Sequence, residues 1–162
     1  MTPQSPMHRE RTTLSLPARP SRDLPSRRLP DLIMVEDNPY DVDLLHLAMD
    51  EMDVRAFVHA VEDATKTFEL IHSLRMMPAL IILDLNLPLV RGDDLLRRIR
   101  SDERGKNIPV VMFTSSNTAT DIEECLQLGA CAYKTKPDSF DGYLEFAGSL
   151  RPFLAARSIH DG

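Results

Sequence analysis

The residues with most chemistry to offer are acids, one lysine and one threonine, each placed where an apolar run stops. Asp84 ends the run Ala79-Leu80-Ile81-Ile82-Leu83, and Leu85-Asn86-Leu87-Pro88 follow it. Glu36-Asp37 end Asp31–Val35, Thr114 ends Ile108–Phe113, and Lys136-Pro137 follow Cys131–Thr135. Taken singly, each has an ordinary reading. Asp84 is a strand-end turn residue, Lys136-Pro137 a simple turn, and Thr114 the cap of the helix after it. Taken together they imply more. Carboxylates gathered in one crevice repel and raise one another's pKa unless a cation intervenes. All-oxygen ligands with open water positions suit Mg²⁺. A lysine and a hydroxyl beside a metal-bound carboxylate make an arrangement for binding a phosphoryl group.

The surrounding elements must bring these residues to one place. Uninterrupted branched runs between turn signals are strands buried on both faces. Asn38 followed by Pro39 caps a helix over 39–52, with Leu44, Leu45, Leu47 and Ala48 as its stripe. A second strand lies near 55–60 and a second helix over 63–75. Further helices are expected over 93–102, over 118–128 with Gly129 as C-cap, and from Ser139 to beyond Leu150. This βα alternation gives a five-stranded parallel sheet with right-handed crossovers, doubly wound and flavodoxin-like, of order 2-1-3-4-5. That order places strands one and three side by side at the switch point, so all four strand ends share one edge of the sheet.

Composition narrows the function. Of 162 residues, 43% are apolar, enough for a sizeable core. The net charge of −6 leaves no nucleic-acid footprint, and no apolar run reaches membrane-spanning length. The charge is uneven: residues 1–30 balance at +4 and carry six prolines, whereas the rest carries about −10. Residues 1–30 are therefore expected to be a disordered basic arm, 31–157 the folded domain and 158–162 a tail. Cys125 and Cys131 do not form a CxxC pair and are taken as reduced and buried in a cytoplasmic protein. His46, His59 and His72 show no metal-ligand spacing and are taken as surface or edge residues.

The chain from about 31 to 156 resembles the receiver domain of two-component response regulators. Glu36-Asp37, Asp84, Thr114 and Lys136-Pro137 stand where that family has its functional residues, and Tyr133 stands at its aromatic switch position. The phrases Val35-Glu36-Asp37-Asn38-Pro39 and Leu83-Asp84-Leu85-Asn86-Leu87-Pro88 look most like stand-alone regulators that partner bacterial phytochromes. The resemblance implies that Asp84 accepts a phosphoryl group from a sensor histidine kinase, within a relay that can include a phosphotransfer protein. It implies that Asp37, Asp84 and the Asn86 carbonyl bind Mg²⁺, with Glu36 acting through water. Lys136 would contact a phosphoryl oxygen, and Thr114 would donate to it and move inward, opening space for Tyr133. Glu36 stands where the family more often has Asp, and Ser115 where it more often has Ala. Arg91-Gly92 replaces a frequent acid-Gly pair.

In the last helix, the apolar residues from Phe140 to Leu154 sweep about half the circumference, wider than one core stripe needs. Tyr143, Phe146, Leu150 and Phe153 are accordingly expected to form a homodimer face with helix four and strand five. Fraying of the helix at Gly148 or Pro152 would explain the arc more plainly. The whole is expected to act through protein contacts rather than as an enzyme. A phosphohydrolase would need a second carboxylate two residues after Asp84, where Asn86 stands. Two further functions fit the same residues: a sink that drains phosphate from a kinase, and a phosphate-independent interaction module on a receiver scaffold.

Overall fold

The computed structural model describes residues 28–155; the expected basic arm lies outside them except for its last three residues, and the expected tail lies wholly outside. Five strands, β1 (Asp31–Val35), β2 (Phe57–Val61), β3 (Leu80–Leu83), β4 (Val110–Thr114) and β5 (Ala132–Thr135), form one sheet. Its order is β2-β1-β3-β4-β5, and every pairing is parallel. The helices are α1 (Pro39–Glu51), α2 (Ala64–Ser73), α3 (Gly92–Ser101), α4 (Ala119–Gln127), α5 (Phe140–Ser149) and the short α6 (Arg151–Ala155).

The three central strands bury every residue, as their unbroken apolar runs require. Alternate side chains leave opposite faces. Leu32, Met34, Leu80, Ile82 and Phe113 join Leu45 and Ala48 of α1 and Ala147 of α5 in one core. Ile33, Val35, Ile81, Leu83 and Met112 join Ile71 of α2, Leu95, Leu96 and Ile99 of α3, and Cys125 of α4 in the other. Each fully buried aliphatic side chain contributes roughly 1.5–3 kcal/mol. The two cores thus pack opposite faces of the same sheet.

Local chemistry sets the helix starts near that edge. Asn38 Oδ1 accepts from the Tyr40 amide, with Pro39 at the first helical position. Asp63, Thr118 and Ser139 cap α2, α4 and α5 with their own side chains. Gly129, at φ +100°, closes α4 in a conformation that disfavours side chains.

The last helix corrects one expectation. It is two pieces: α5 stops at Ser149, and the chain turns at Leu150 into α6. Tyr143, Phe146 and Leu150 are all buried in the core beside α1 and the sheet, and Phe153 packs against that core. Tyr143, Phe146 and Leu150 are therefore not a face open to a second copy, and Phe153 is half-buried. The wide apolar arc arises because α5 meets both α1 and the sheet, while α6 returns Leu154 to the same core. A second correction concerns Cys131, which is exposed; Cys125 is buried as expected, and its thiol is pushed up to about 11, mainly by that burial.

Candidate functional site

At the C-terminal edge of the sheet, Glu36 follows β1, Asp84 follows β3, Thr114 ends β4 and Lys136 follows β5. Two backbone hydrogen bonds lock this edge. The Asp84 amide donates to Val35 O at 3.1 Å, and the Lys136 amide donates to Thr114 O at 2.7 Å. Gly92 opens α3 so close to the Asp84–Leu85 backbone that any side chain would collide with it. The Arg91-Gly92 pair thus keeps the glycine that positions Asp84, while Arg91 turns outward to Asp93 and Asp121.

Glu36 and Asp84 are 3% and 4% exposed, and Asp37 beside them faces solvent. Carboxylate oxygens of Glu36, Asp37 and Asp84 all lie within 4.8 Å of one another. Lys136 Nζ answers this charge with contacts at 2.9 Å to Glu36 Oε2 and 2.9 Å to Asp84 Oδ2. It makes a further contact that the sequence did not reveal, 2.8 Å to Oδ2 of Asp41 in the first turn of α1. Asp41 Oδ1 in turn accepts from the Tyr143 hydroxyl at 3.0 Å. The available signal was an acid one turn into the helix that begins at the β1 end; its placement beside Lys136 depends on the helix direction.

Electrostatics divides the acids. Burial, reinforced by the charge of Asp84, pushes Glu36 up to about 7 despite its hydrogen bond from Lys136. Asp84 is buried too, but bonds from Lys136, the Asn86 amide and Glu36 hold it below the ordinary carboxylate value. Lys136 is held above the ordinary lysine value: burial opposes its charge, but its three carboxylate partners outweigh that cost. The site therefore pairs a buried Asp84 that favours its ionised form with a neighbouring carboxyl, Glu36, that holds its proton more tightly. Three oxygen donors within reach of one point, with room for water on the exposed Asp37 side, fit a hard divalent cation such as Mg²⁺.

The expected switch residues also stand here. Thr114 is fully buried; its Oγ1 accepts from the Ser116 amide at 3.4 Å and lies 3.5 Å from Asn86 Nδ2. Tyr133 is half-buried on β5, and its hydroxyl donates to the Ser116 carbonyl at 2.7 Å. The Ser116 hydroxyl donates to Asp121, which Arg91 also holds. His59 and His72 stay away from this edge, His59 against Asp31 and His72 against Asp102.

With this geometry fixed, comparison with known sequences is decisive. The family described as response regulator receiver domain matches residues 32–145. The chain belongs to that family. This receiver domain is 34% identical over 111 residues to the DNA-binding dual master transcriptional regulator RpaA of Synechocystis sp.; the match covers 67% of this chain and 44% of that regulator. The chain thus spans less than half the length of that relative. Among solved structures, the receiver resembles the phosphorylated cyanobacterial phytochrome response regulator RcpA. The TM-score is 0.71 at 28% identity, covering 80% of this chain and 96% of that one. It also resembles the receiver domain of the Pseudomonas aeruginosa sensor histidine kinase PA1611, whose active-site cleft coordinates magnesium. There the TM-score is 0.61 at 26% identity, covering 76% and 97%. The receiver fold and its place in two-component signalling are therefore established. Among the described residues, no helix is long and apolar enough to cross a membrane.

Proposed function

We propose that this receiver is a cytoplasmic response regulator that accepts a phosphoryl group on Asp84 from a phosphohistidine of a sensor histidine kinase, with a bacteriophytochrome as the leading candidate donor. The observation that carries this reading is Asp84, buried against Lys136 at 2.9 Å and beside two further carboxylates. Asp84 Oδ attacks phosphorus, the P–N bond breaks, and the electron pair returns to the imidazole nitrogen, leaving an acyl phosphate. Asp37, Asp84 and the Asn86 carbonyl would hold Mg²⁺, with Glu36 acting through water; bound there, the ion would supply positive charge to the phosphoryl oxygens. Lys136 turns its ammonium to a phosphoryl oxygen, and Thr114 turns its hydroxyl to another. That turn draws on the Thr114–Ser116–Tyr133 contacts, which carry the change toward protein partners. The phytochrome assignment draws on the likeness to RcpA and on the two sequence phrases that flank Asp37 and Asp84.

Intact-mass spectrometry after incubation with acetyl phosphate and Mg²⁺ tests the reading. Wild type should gain one alkali-labile phosphoryl group, and Asp84→Asn none, a complete loss as expected when the nucleophile is removed. An adduct that persists in Asp84→Asn, or no adduct in wild type from either acetyl phosphate or a phosphorylated kinase domain, overturns it.

A further inference from the structure

The lysine of the site has one partner too many for a simple acceptor pocket. Its ammonium has three hydrogens and three carboxylates within 2.8–2.9 Å. Two of those carboxylates, Glu36 and Asp84, belong to the set assigned to Mg²⁺. The third, Asp41, sits a turn into α1, and its other oxygen is held by the Tyr143 hydroxyl of α5. Tyr143 is itself fixed, buried and edge-on to the Phe113 ring at 5.6 Å, one residue before Thr114.

We propose that Asp41 and Tyr143 form a positioning pair that holds the Lys136 ammonium at the site once Mg²⁺ has drawn Glu36 and Asp84 away from it, and that ties α5 to this lysine. The inference rests on the reading of Glu36, Asp37 and Asp84 as the Mg²⁺ acids. A lysine has a flexible four-carbon stem and, released from two carboxylates, carries about 2 kcal/mol of rotamer entropy that favours dispersal. Without Asp41, the ammonium either disperses or stays on the carboxylates and competes with the cation. With Asp41, it has a partner that the cation does not need. An acid that merely complemented the α1 dipole would need neither the ammonium nor the phenol, and could stand in water. Tyr143 fixes one Asp41 oxygen, so the other stays aimed at Lys136. The same bond makes any displacement of the ammonium felt in the first turn of α5.

The test is direct observation of the Lys136 ammonium by ¹H–¹⁵N NMR on the full chain, with the signal assigned by its absence in Lys136→Arg. In wild type the signal should persist at saturating Mg²⁺. In Asp41→Asn it should be lost to solvent exchange under the same conditions, and Mg²⁺ binding should weaken about fivefold. Tyr143→Phe, which removes only the hydroxyl, should weaken Mg²⁺ about twofold and shift the Lys136 signal. The backbone amide spectrum of each variant reports its fold. A signal that vanishes in wild type with Mg²⁺, or survives unchanged in both variants, overturns the proposal. None of these readouts needs phosphorylation. A wild type that keeps the signal in Mg²⁺ but takes up no phosphoryl group would defeat Asp84 as acceptor while supporting the positioning pair.

Discussion

The two ends of β1 each bury an acid, and they treat it in opposite ways. At the start of the strand, Asp31 is met by His59 at 2.9 Å and Arg28 at 3.6 Å. At its exit, Glu36 shares the ammonium of Lys136 with Asp41 and Asp84, and Asp37 stands beside them. The first end has its charge answered by its own neighbours. Among the described residues, the second gathers three carboxylates on one ammonium, with a fourth, Asp37, close to two of them. Burial is much the same at both ends, so burial does not mark function here; an uncompensated charge balance does. A balanced acid holds the strand in place, whereas an unbalanced cluster calls for completion from outside, in the proposed function by a cation and a phosphoryl group.

Breaking the balance further should have the largest effect. Lys136→Met leaves three closely packed carboxylates without their common partner and should lower stability by about 3 kcal/mol in the absence of divalent ions. Urea unfolding with and without millimolar Mg²⁺ checks this, and the ion should restore more stability in the variant than it adds to wild type. An unchanged midpoint in the metal-free variant would mean that the cluster is less charged than its geometry implies.

The pH dependence should be next in size. Glu36 has its folded-state value raised from 4.5 to about 7, so across that window the folded chain keeps a proton that the unfolded chain releases. Metal-free stability should therefore fall as pH rises from 4.5 to 7, and Glu36→Gln should remove that slope. Asp84 acts with the opposite sign. Its value is lowered from 3.8, so its contribution is present above that value and is lost as pH falls below it. Urea midpoints from about pH 3 to 8 separate the two slopes. At the other end of β1, His59→Ala should cost only about 1 kcal/mol, the worth of one hydrogen bond. It should leave phosphoryl uptake and Mg²⁺ affinity as in wild type, a contrast that calorimetric titration of both chains measures.

The fold was legible because the central strands must be apolar throughout, and nothing in a half-exposed helix imitates that pattern. Strand order followed from the five βα units and the handedness of crossovers. Glu36, Asp84, Thr114 and Lys136 were legible for the same reason: a polar residue at the end of a buried strand lands on a known edge. Asp41 was not, because a helix admits acids in its first turn for general reasons, and only the packed helix shows which one turns toward Lys136. Tyr143, Phe146 and Leu150 were misread because an arc of apolar side chains does not reveal how many neighbours cover it; α1 and the turn into α6 supply the cover. Edge strands were the least certain in extent, and β2 begins at Phe57, two residues later than the sequence pattern implies.

Titration of the metal-free chain with Mg²⁺, followed by backbone amide NMR, tests the contrast between the two ends most directly. Saturable shifts should appear at Glu36–Asn38, Asp84–Asn86 and Lys136, with Asp31 and His59 unmoved. Shifts of equal size at both ends of β1, or none at Asp84 and its neighbours, would contradict the claim that the unbalanced end is the one built to be completed from outside.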